Sequence, residues 1–205
     1  MSQTEFYRGV AAAAQALGRS QAPAERAAAV HAAMAPLWDD TPHAGHRACR
    51  RGCDHCCHLP VGVTYGEVLR LLAAVERVPP LPERVAAEAR RTAAMPWRAL
   101  VAQPCPLLAD GACTVHAARP LACRALASSD ADACARALRG PAVVPFDGDA
   151  LWRGLGAADV LAAAETAAGH RELRSALAAV LAAAPAARAA AFLAARPVGD
   201  EPATR

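Results

Sequence analysis

The chain has 205 residues, a formal net charge of +3 from 22 basic and 19 acidic side chains, and eight cysteines. That length suggests one domain, or two small ones, able to bury a core without disulfide staples. The small charge excess, the lack of a long basic tract and the lack of any run of about 18 apolar residues argue against a nucleic-acid partner and against a membrane span.

The 55% hydrophobic fraction is more than half alanine (58 residues), which buries little area, and the larger core formers are mostly Leu and Val. Lys, Ile and Asn are absent, so every basic residue is Arg. This reads as the codon bias of a GC-rich genome and gives the arginine count little weight. Met1 to Arg8 include Glu5 and no basic start leading into an apolar stretch. A secretory signal is therefore not expected, and the expected compartment is the cytoplasm.

Alanine with scattered Leu and Val favours helices. Residues 5–18 and 23–38 read as a helical hairpin broken around Gly18 to Pro23, followed by a polar, turn-prone stretch from Asp39 to Gly45. The segment 46–63 holds the first cysteines. Thr64-Tyr65-Gly66-Glu67 matches a capping box, and Val68, Leu69, Leu71, Leu72 and Val75 continue it as an amphipathic helix to the neighbourhood of Arg77. A further helix is expected over 82–95, between Pro82 and Pro96. The span 103–125, rich in Pro and Cys, should be irregular with at most a short helical turn. Ser129 or Asp130 can cap a helix over 131–139, and Ala142 to Phe146 fit a short strand. Two helices, 149–168 and 170–196, fill the end, with Pro185 placed to kink or split the second and a frayed tail after Pro197. Trp38, Trp97 and Trp152 are expected as core anchors.

The expected fold class is therefore all-α: an irregular helical domain with two Cys-rich loop segments converging on a metal site. It is read as a single domain over 1–205, with an N-terminal helical hairpin (1–45), a cysteine-cluster core (46–140) and C-terminal helices (141–205).

The cysteines carry most of the information. Cys49, Cys53, Cys56 and Cys57 fall within nine residues; Cys105, Cys113, Cys123 and Cys134 form a looser second group. A cytosolic chain has little use for disulfides, and clustered thiols there bind metal or do redox work. Cys-x2-Cys is a chelating spacing, because a tight turn lets both sulfurs face one ion. Adjacent Cys56 and Cys57 cannot easily share one small ion, which points to a polynuclear cluster or to two nearby sites. Four thiolates leave a zinc ion or a 4Fe–4S core anionic, and Arg47, Arg50, Arg51, Arg119 and Arg124 flank the cysteines in sequence.

Cys49-Arg50-Arg51-Gly52-Cys53-Asp54-His55-Cys56-Cys57-His58, followed by Thr64-x2-Glu67, resembles the N-terminal signature of the YkgJ-type cysteine cluster family, zinc- or iron-chelating domains of the CxxCxxCC type. Cys105-Pro106-Leu107-Leu108, Gly111-Ala112-Cys113, Arg119-Pro120 and Cys123-Arg124 resemble its second block. The resemblance spans residues 49–134. It implies a bound metal with ligands at Cys53, Cys56, Cys57, Cys105, Cys113 and Cys123, to which Cys49 and Cys134 add the pattern of many members. His116 departs from the family, standing where an aromatic residue is common.

His55 and His58 flank the thiols, and Arg119 and Arg124 adjoin Cys123; these four are the candidate supporting residues around the metal. His43 and His46 are weaker candidates. Glu67 is accounted for by capping and Asp110-Gly111 by a turn. No Ser–His–Asp order, P-loop or dinucleotide fingerprint is present. The functional expectation is a metal-binding protein holding an iron–sulfur cluster (4Fe–4S favoured) or zinc, since eight thiols exceed the four that one tetrahedral zinc needs. The alternatives are a metal-dependent enzyme (redox or group transfer) with an open coordination position, and a zinc-stabilised structural or interaction module.

Overall fold

Helices built from Ala and Gly can approach each other almost backbone to backbone, and the chain's two ends use this. In the computed structural model, which describes residues 3–18, 22–50 and 52–199, α1 (Gln3–Leu17) lies along α7 (Gly148–Ala163). A Cβ added to Gly9 would stand 2.0 Å from the Arg153 carbonyl oxygen, and one added to Gly156 would stand 2.3 Å from that of Phe6. α2 (Pro23–Asp39) and α5 (Leu121–Ala125) complete this layer around Val30, Met34, Trp38, Leu121, Ala157 and Leu161. The buried Arg153 ties it together, pairing with Glu5 and donating to the carbonyls of Leu37 (2.8 Å) and Asp40 (2.7 Å) at the end of α2.

A second core lies between α3 (Tyr65–Val75), α4 (Leu81–Thr92), α8 (Leu173–Ala182) and α9 (Arg188–Ala194), filled by Val68, Leu71, Leu72, Val75, Val85, Leu177, Val180 and Phe192. The capping box at Thr64 is formed as expected, with the Glu67 N–H donating to Thr64 Oγ1 and Thr64 N–H to Glu67 Oε2. The short α6 (Ala131–Ala137) is capped by Asp130, whose carboxylate accepts from the Ala133 N–H. α5 stands at the seam of the two cores: Leu121 and Ala125 face the first, while Ala122 and Cys123 pack on the second.

The all-α expectation holds, with small additions. β1 (Gly62–Val63) pairs antiparallel with β4 (Arg171–Glu172), a contact across more than a hundred residues that no local pattern announces. Within the irregular span, β2 (Leu108–Ala109) and β3 (Ala112–Cys113) form a hairpin whose Asp110 and Gly111 both take positive φ, 49° and 69°. Asp-Gly suits such a two-residue turn, since both positions must be left-handed.

Some expectations fail. Ala142 to Phe146 is not a strand: Val143 is 91% exposed, and only Phe146 makes a bridge, to Ser128. The helix expected over 170–196 is split at Pro185, as that residue's placement suggested, because proline cannot donate to the ladder; α8 starts only at Leu173 and ends at Ala182, and α9 begins at Arg188. Of the three tryptophans, Trp38 is buried and Trp97 and Trp152 are half-buried. Arg51, part of the break between Gly18 and Pro23, and the tail from residue 200 onward lie outside the described residues.

Candidate metal centre

The two cysteine segments meet through their backbones. The Cys105 N–H donates to the Cys57 carbonyl (2.7 Å) and the Ala102 N–H to that of His58 (2.8 Å), which lays the Gln103–Cys105 stretch against the turn carrying Cys56 and Cys57. At the other end, the Ala48 N–H donates to the Ser128 carbonyl (2.8 Å), and the Ser128 N–H points at Cys49 Sγ (3.4 Å). Local structure aims the sulfurs. Gly52, at φ 88°, turns the chain between Cys49 and Cys53, and a 3₁₀ turn over His55–His58 presents Cys56 and Cys57. The β2–β3 hairpin carries Cys113, and α5 carries Cys123.

The result is a cavity of about 590 Å³ whose wall includes Cys49, Cys53, Cys56, Cys57, Cys105, Cys113 and Cys123. Cys134, on α6, is off that wall but within the electrostatic reach of Cys49 and Cys53. All eight thiols are free. Among the described residues, no three His, Cys, Asp or Glu side chains are gathered closely enough to hold a single ion; the thiols are distributed around the wall.

Burial sets their protonation. It pushes Cys105 up to about 11, raises Cys123 well above the usual thiol value, and raises Cys53, Cys113 and Cys134 as well. Cys56 is the exception, lowered to about 6 by a hydrogen bond from the Cys57 thiol and by the Arg119 guanidinium; Cys57, as the donor, is raised. Among the wall thiols, Cys53, Cys57, Cys105, Cys113 and Cys123 are thus biased toward the neutral thiol and Cys56 toward the thiolate. A soft cation entering such a site would displace thiol protons.

Two arginines hold the second segment in place. Arg84 Nη2 donates to the Pro106 (2.8 Å) and Leu108 (2.5 Å) carbonyls. Arg174, 1% exposed, donates to the Gln103 (2.7 Å) and Pro104 (3.3 Å) carbonyls and is ion-paired with Glu172 at 3.0 Å. Sequence reasoning missed both. The available signal was Arg174 itself, a lone charge on the same face as Leu177 in an otherwise apolar helix. Glu67 does more than cap its own helix. Its Oε1 also accepts from the Leu121 N–H (2.7 Å), the first residue of α5, and contacts His31 Nε2 (3.2 Å). Burial opposes its charge, and the His31 contact with these backbone donors outweighs burial, so its pKa is lowered. One carboxylate thus fixes the helix that carries Cys123.

The supporting residues fall in different places. Arg50, Arg119 and His116 line the cavity. Arg124 donates to the Ala117 carbonyl (2.8 Å). His58 Nδ1 lies 3.1 Å from the Asp54 carbonyl, and His55 Nδ1 lies 3.8 Å from Asp54 Oδ1; neither is on the wall. Arg47 serves the shell instead, pairing with Asp147 at 2.8 Å and donating to the Trp38 carbonyl. No described helix is long and apolar enough to cross a membrane.

A mostly helical fold that brings two cysteine-bearing loops around one thiol-lined cavity defines a class of soft-metal chelators by its donors. Residues 48–139, just under half of the chain, match the CxxCxxCC family model, described as a "putative zinc- or iron-chelating domain". No curated protein and no solved structure matches the chain.

Proposed function

We propose that the protein binds a polynuclear metal centre through its clustered cysteines, an iron–sulfur cluster of the 4Fe–4S type, with zinc as the competing occupant. The observation that carries this reading is the single cavity walled by seven thiols from both segments, with the adjacent Cys56 and Cys57 both on it. A lone zinc draws four donors to about 2.3 Å from one point. Donors spread around a cavity suit a larger core whose several iron atoms, bridged by sulfide, each bind a separate thiolate. In this reading Cys49, Cys53, Cys56, Cys57, Cys105, Cys113, Cys123 and Cys134 are the ligand pool, and Arg119 offsets the anionic charge. Residues 46–140 act as the metal-binding core within one helical domain, in the reducing cytoplasm where free thiols persist.

Anaerobic purification followed by elemental analysis, sulfide assay and visible absorption tests the reading. Iron with equimolar inorganic sulfide and a brown chromophore is expected. A colourless protein with stoichiometric zinc would replace the cluster by zinc and keep the ligands. Cys56→Ser and Cys123→Ser are expected to lower metal content, and Cys49→Ser, at the exposed rim, to do so less. Undiminished metal in all three would refute the assignment.

A structural reading also has an observation behind it. Cys105, Cys113 and Cys123 pack directly on the α3/α8 core, so metal binding there would contribute folding free energy. Chelation should then lower the melting temperature; an unchanged melting curve after complete metal removal would exclude it.

A further inference from the structure

The segment that carries Cys105 is bent into a conformation it would not hold alone. Ala102, at φ 69°, is in the left-handed region, with no glycine beside it. An L residue is strained there, so surrounding contacts must keep it in place. Its N–H donates to the His58 carbonyl (2.8 Å), and the Gln103 N–H donates to that of Leu100 (3.1 Å). Three residues after Ala102, the Cys105 N–H meets the Cys57 carbonyl. This strained turn sets the register of Cys105 against Cys57.

The contacts that hold the turn come from one face of α4. Arg84, Glu88 and Arg91 follow at i, i+4 and i+7, a spacing that places side chains on one helical stripe. Arg84 takes the Pro106 and Leu108 carbonyls. Arg91 Nη2 donates to the side-chain oxygen of Gln103 (2.8 Å). Glu88 joins this stripe to the buried Arg174. Its carboxylate accepts from Arg91 Nε (2.9 Å) and Nη2 (2.6 Å), and its Oε1 lies 3.8 Å from Arg174 Nε, a nitrogen with no hydrogen-bond partner. Gln103 is therefore gripped twice, at its carbonyl by Arg174 from α8 and at its side chain by Arg91 from α4. Glu88 is the anion that the two guanidiniums share.

The stability of α4 does not account for this arrangement. Its core side is supplied by Leu81, Val85 and Thr92, and a partly exposed Glu–Arg pair three residues apart adds little to a helix. The stripe instead spends its donors on residues 103, 106 and 108 of the cysteine-bearing segment.

We propose that Glu88, Arg91 and Gln103 are positioning residues of the metal centre. Together with Arg84 and Arg174 they keep Ala102 left-handed and so fix Cys105 against Cys57. None of the three lines the cavity, so they act through the backbone of the segment. The inference rests on the metal-binding reading for what Cys105 does, and on hydrogen bonds alone for where Cys105 stands.

Peptide-resolved hydrogen–deuterium exchange of the full chain, with anaerobic titration by cobalt(II) as a thiolate probe, tests this. Glu88→Ala keeps a strong helix former in α4, and Gln103→Leu keeps the side-chain bulk. In each, the Ala102 and Cys105 N–H groups should exchange about tenfold faster, while α1 and α7 exchange as in the parent. Each should bind cobalt about tenfold more weakly, with a reduced thiolate-to-cobalt charge-transfer band. Gln103→Glu, which can still accept from Arg91, should behave as the parent in both measurements. So should Arg90→Ala, which alters an exposed arginine off the stripe. Unchanged exchange at Ala102 and Cys105 would overturn the proposal. So would equal acceleration in α1 and α7, the mark of a general loss of stability, or parental cobalt affinity despite faster exchange at Cys105. A parent chain that takes up no cobalt would refute the metal reading, and the exchange rates would still decide whether the stripe anchors Cys105.

Discussion

The α1/α2/α7 layer and the thiol-bearing loops are positioned by different forces. In the layer, Gly9 and Gly156 let helix backbones touch, and methyl groups fill what remains. Around the cavity, the loops hang from side chains that read backbone carbonyls: Arg84 on Pro106 and Leu108, Arg174 on Gln103 and Pro104, and in the reverse sense Glu67 on the Leu121 N–H. Apart from the Arg153 tie to Glu5 and the Leu37 and Asp40 carbonyls, the first kind of order is distributed over many small contacts. The second concentrates in three ionised groups, each of which commits several backbone groups at once. The layer should therefore yield by degrees to substitution, and the loops should fail as units.

The sharpest way to break that contrast is Arg174→Met. It removes a cation that is 1% exposed and leaves Glu172, equally buried, without its partner. Breaking one side of a buried pair costs about 3–5 kcal/mol, and urea unfolding should register it. The protein that remains folded should also carry less metal, because the irregular stretch before Cys105 loses its anchor. A loss below about 1 kcal/mol with full metal content would mean that the loop is held by something else.

The second test lies at the joint between the regions. Glu165, 5% exposed, accepts from the Gly66 N–H (2.7 Å) at the start of α3, and burial raises its pKa from 4.5 to about 7. The folded protein therefore binds this proton more tightly than the unfolded chain does. The group's contribution to stability is greatest below pH 4.5, falls as pH rises through 4.5 to 7, and levels off above. The total change corresponds to about 3 kcal/mol. His31, whose pKa burial lowers, has the opposite sign and acts below the usual histidine value, so the useful quantity is a difference. Glu165→Gln keeps the acceptor and cannot ionise. It should match the parent near pH 4 and exceed it by up to about 3 kcal/mol near pH 8. A pH-independent difference would mean that Glu165 ionises freely.

How far the sequence reveals each region follows from the same division. Helix positions, the Thr64 capping box, the Asp130 cap and the Asp110-Gly111 turn are local, written in residues a few places apart, and they appear where the pattern puts them. The cysteine spacing pointed to a polynuclear cluster or two nearby sites, and the two segments do meet through their backbones. What stayed hidden is non-local: the β1–β4 pairing, the Arg84 and Arg174 contacts, and the second role of Glu67. An arginine that donates to a carbonyl seventy residues away leaves no period to detect. The exception is its cost, a charge on an apolar helix face, which is visible at Arg174 in hindsight. Ala142 to Phe146 went wrong for the converse reason: only its Pro145–Phe146 end meets a partner, at Ser128 and Ser129, and its strand-like start stays unpaired, with Val143 exposed.

The layer is probed by Gly9→Ala. Its Cβ would stand 2.0 Å from a backbone oxygen of α7, so the helices must separate. Overpacking of this kind costs about 1–3 kcal/mol. Metal per folded chain should stay constant, because α1 donates nothing to the cavity. A parallel loss of metal would show that the two regions are coupled more tightly than their contacts indicate.

The smallest effect expected is at α6, which carries Cys134. Asp130 caps this seven-residue helix through the Ala133 N–H at 2.8 Å, while its 3.7 Å pair with exposed Arg136 adds little. Asp130→Ala should cost about 1 kcal/mol and Asp130→Ser much less, since serine can still accept. Arg136→Gln should be nearly silent. The informative comparison is metal content across the same series. If Cys134 is a ligand, fraying α6 withdraws a sulfur that lies off the cavity wall, so metal should fall in Asp130→Ala and recover in Asp130→Ser. If metal is constant while stability follows the cap, Cys134 is a bystander and the seven wall thiols suffice.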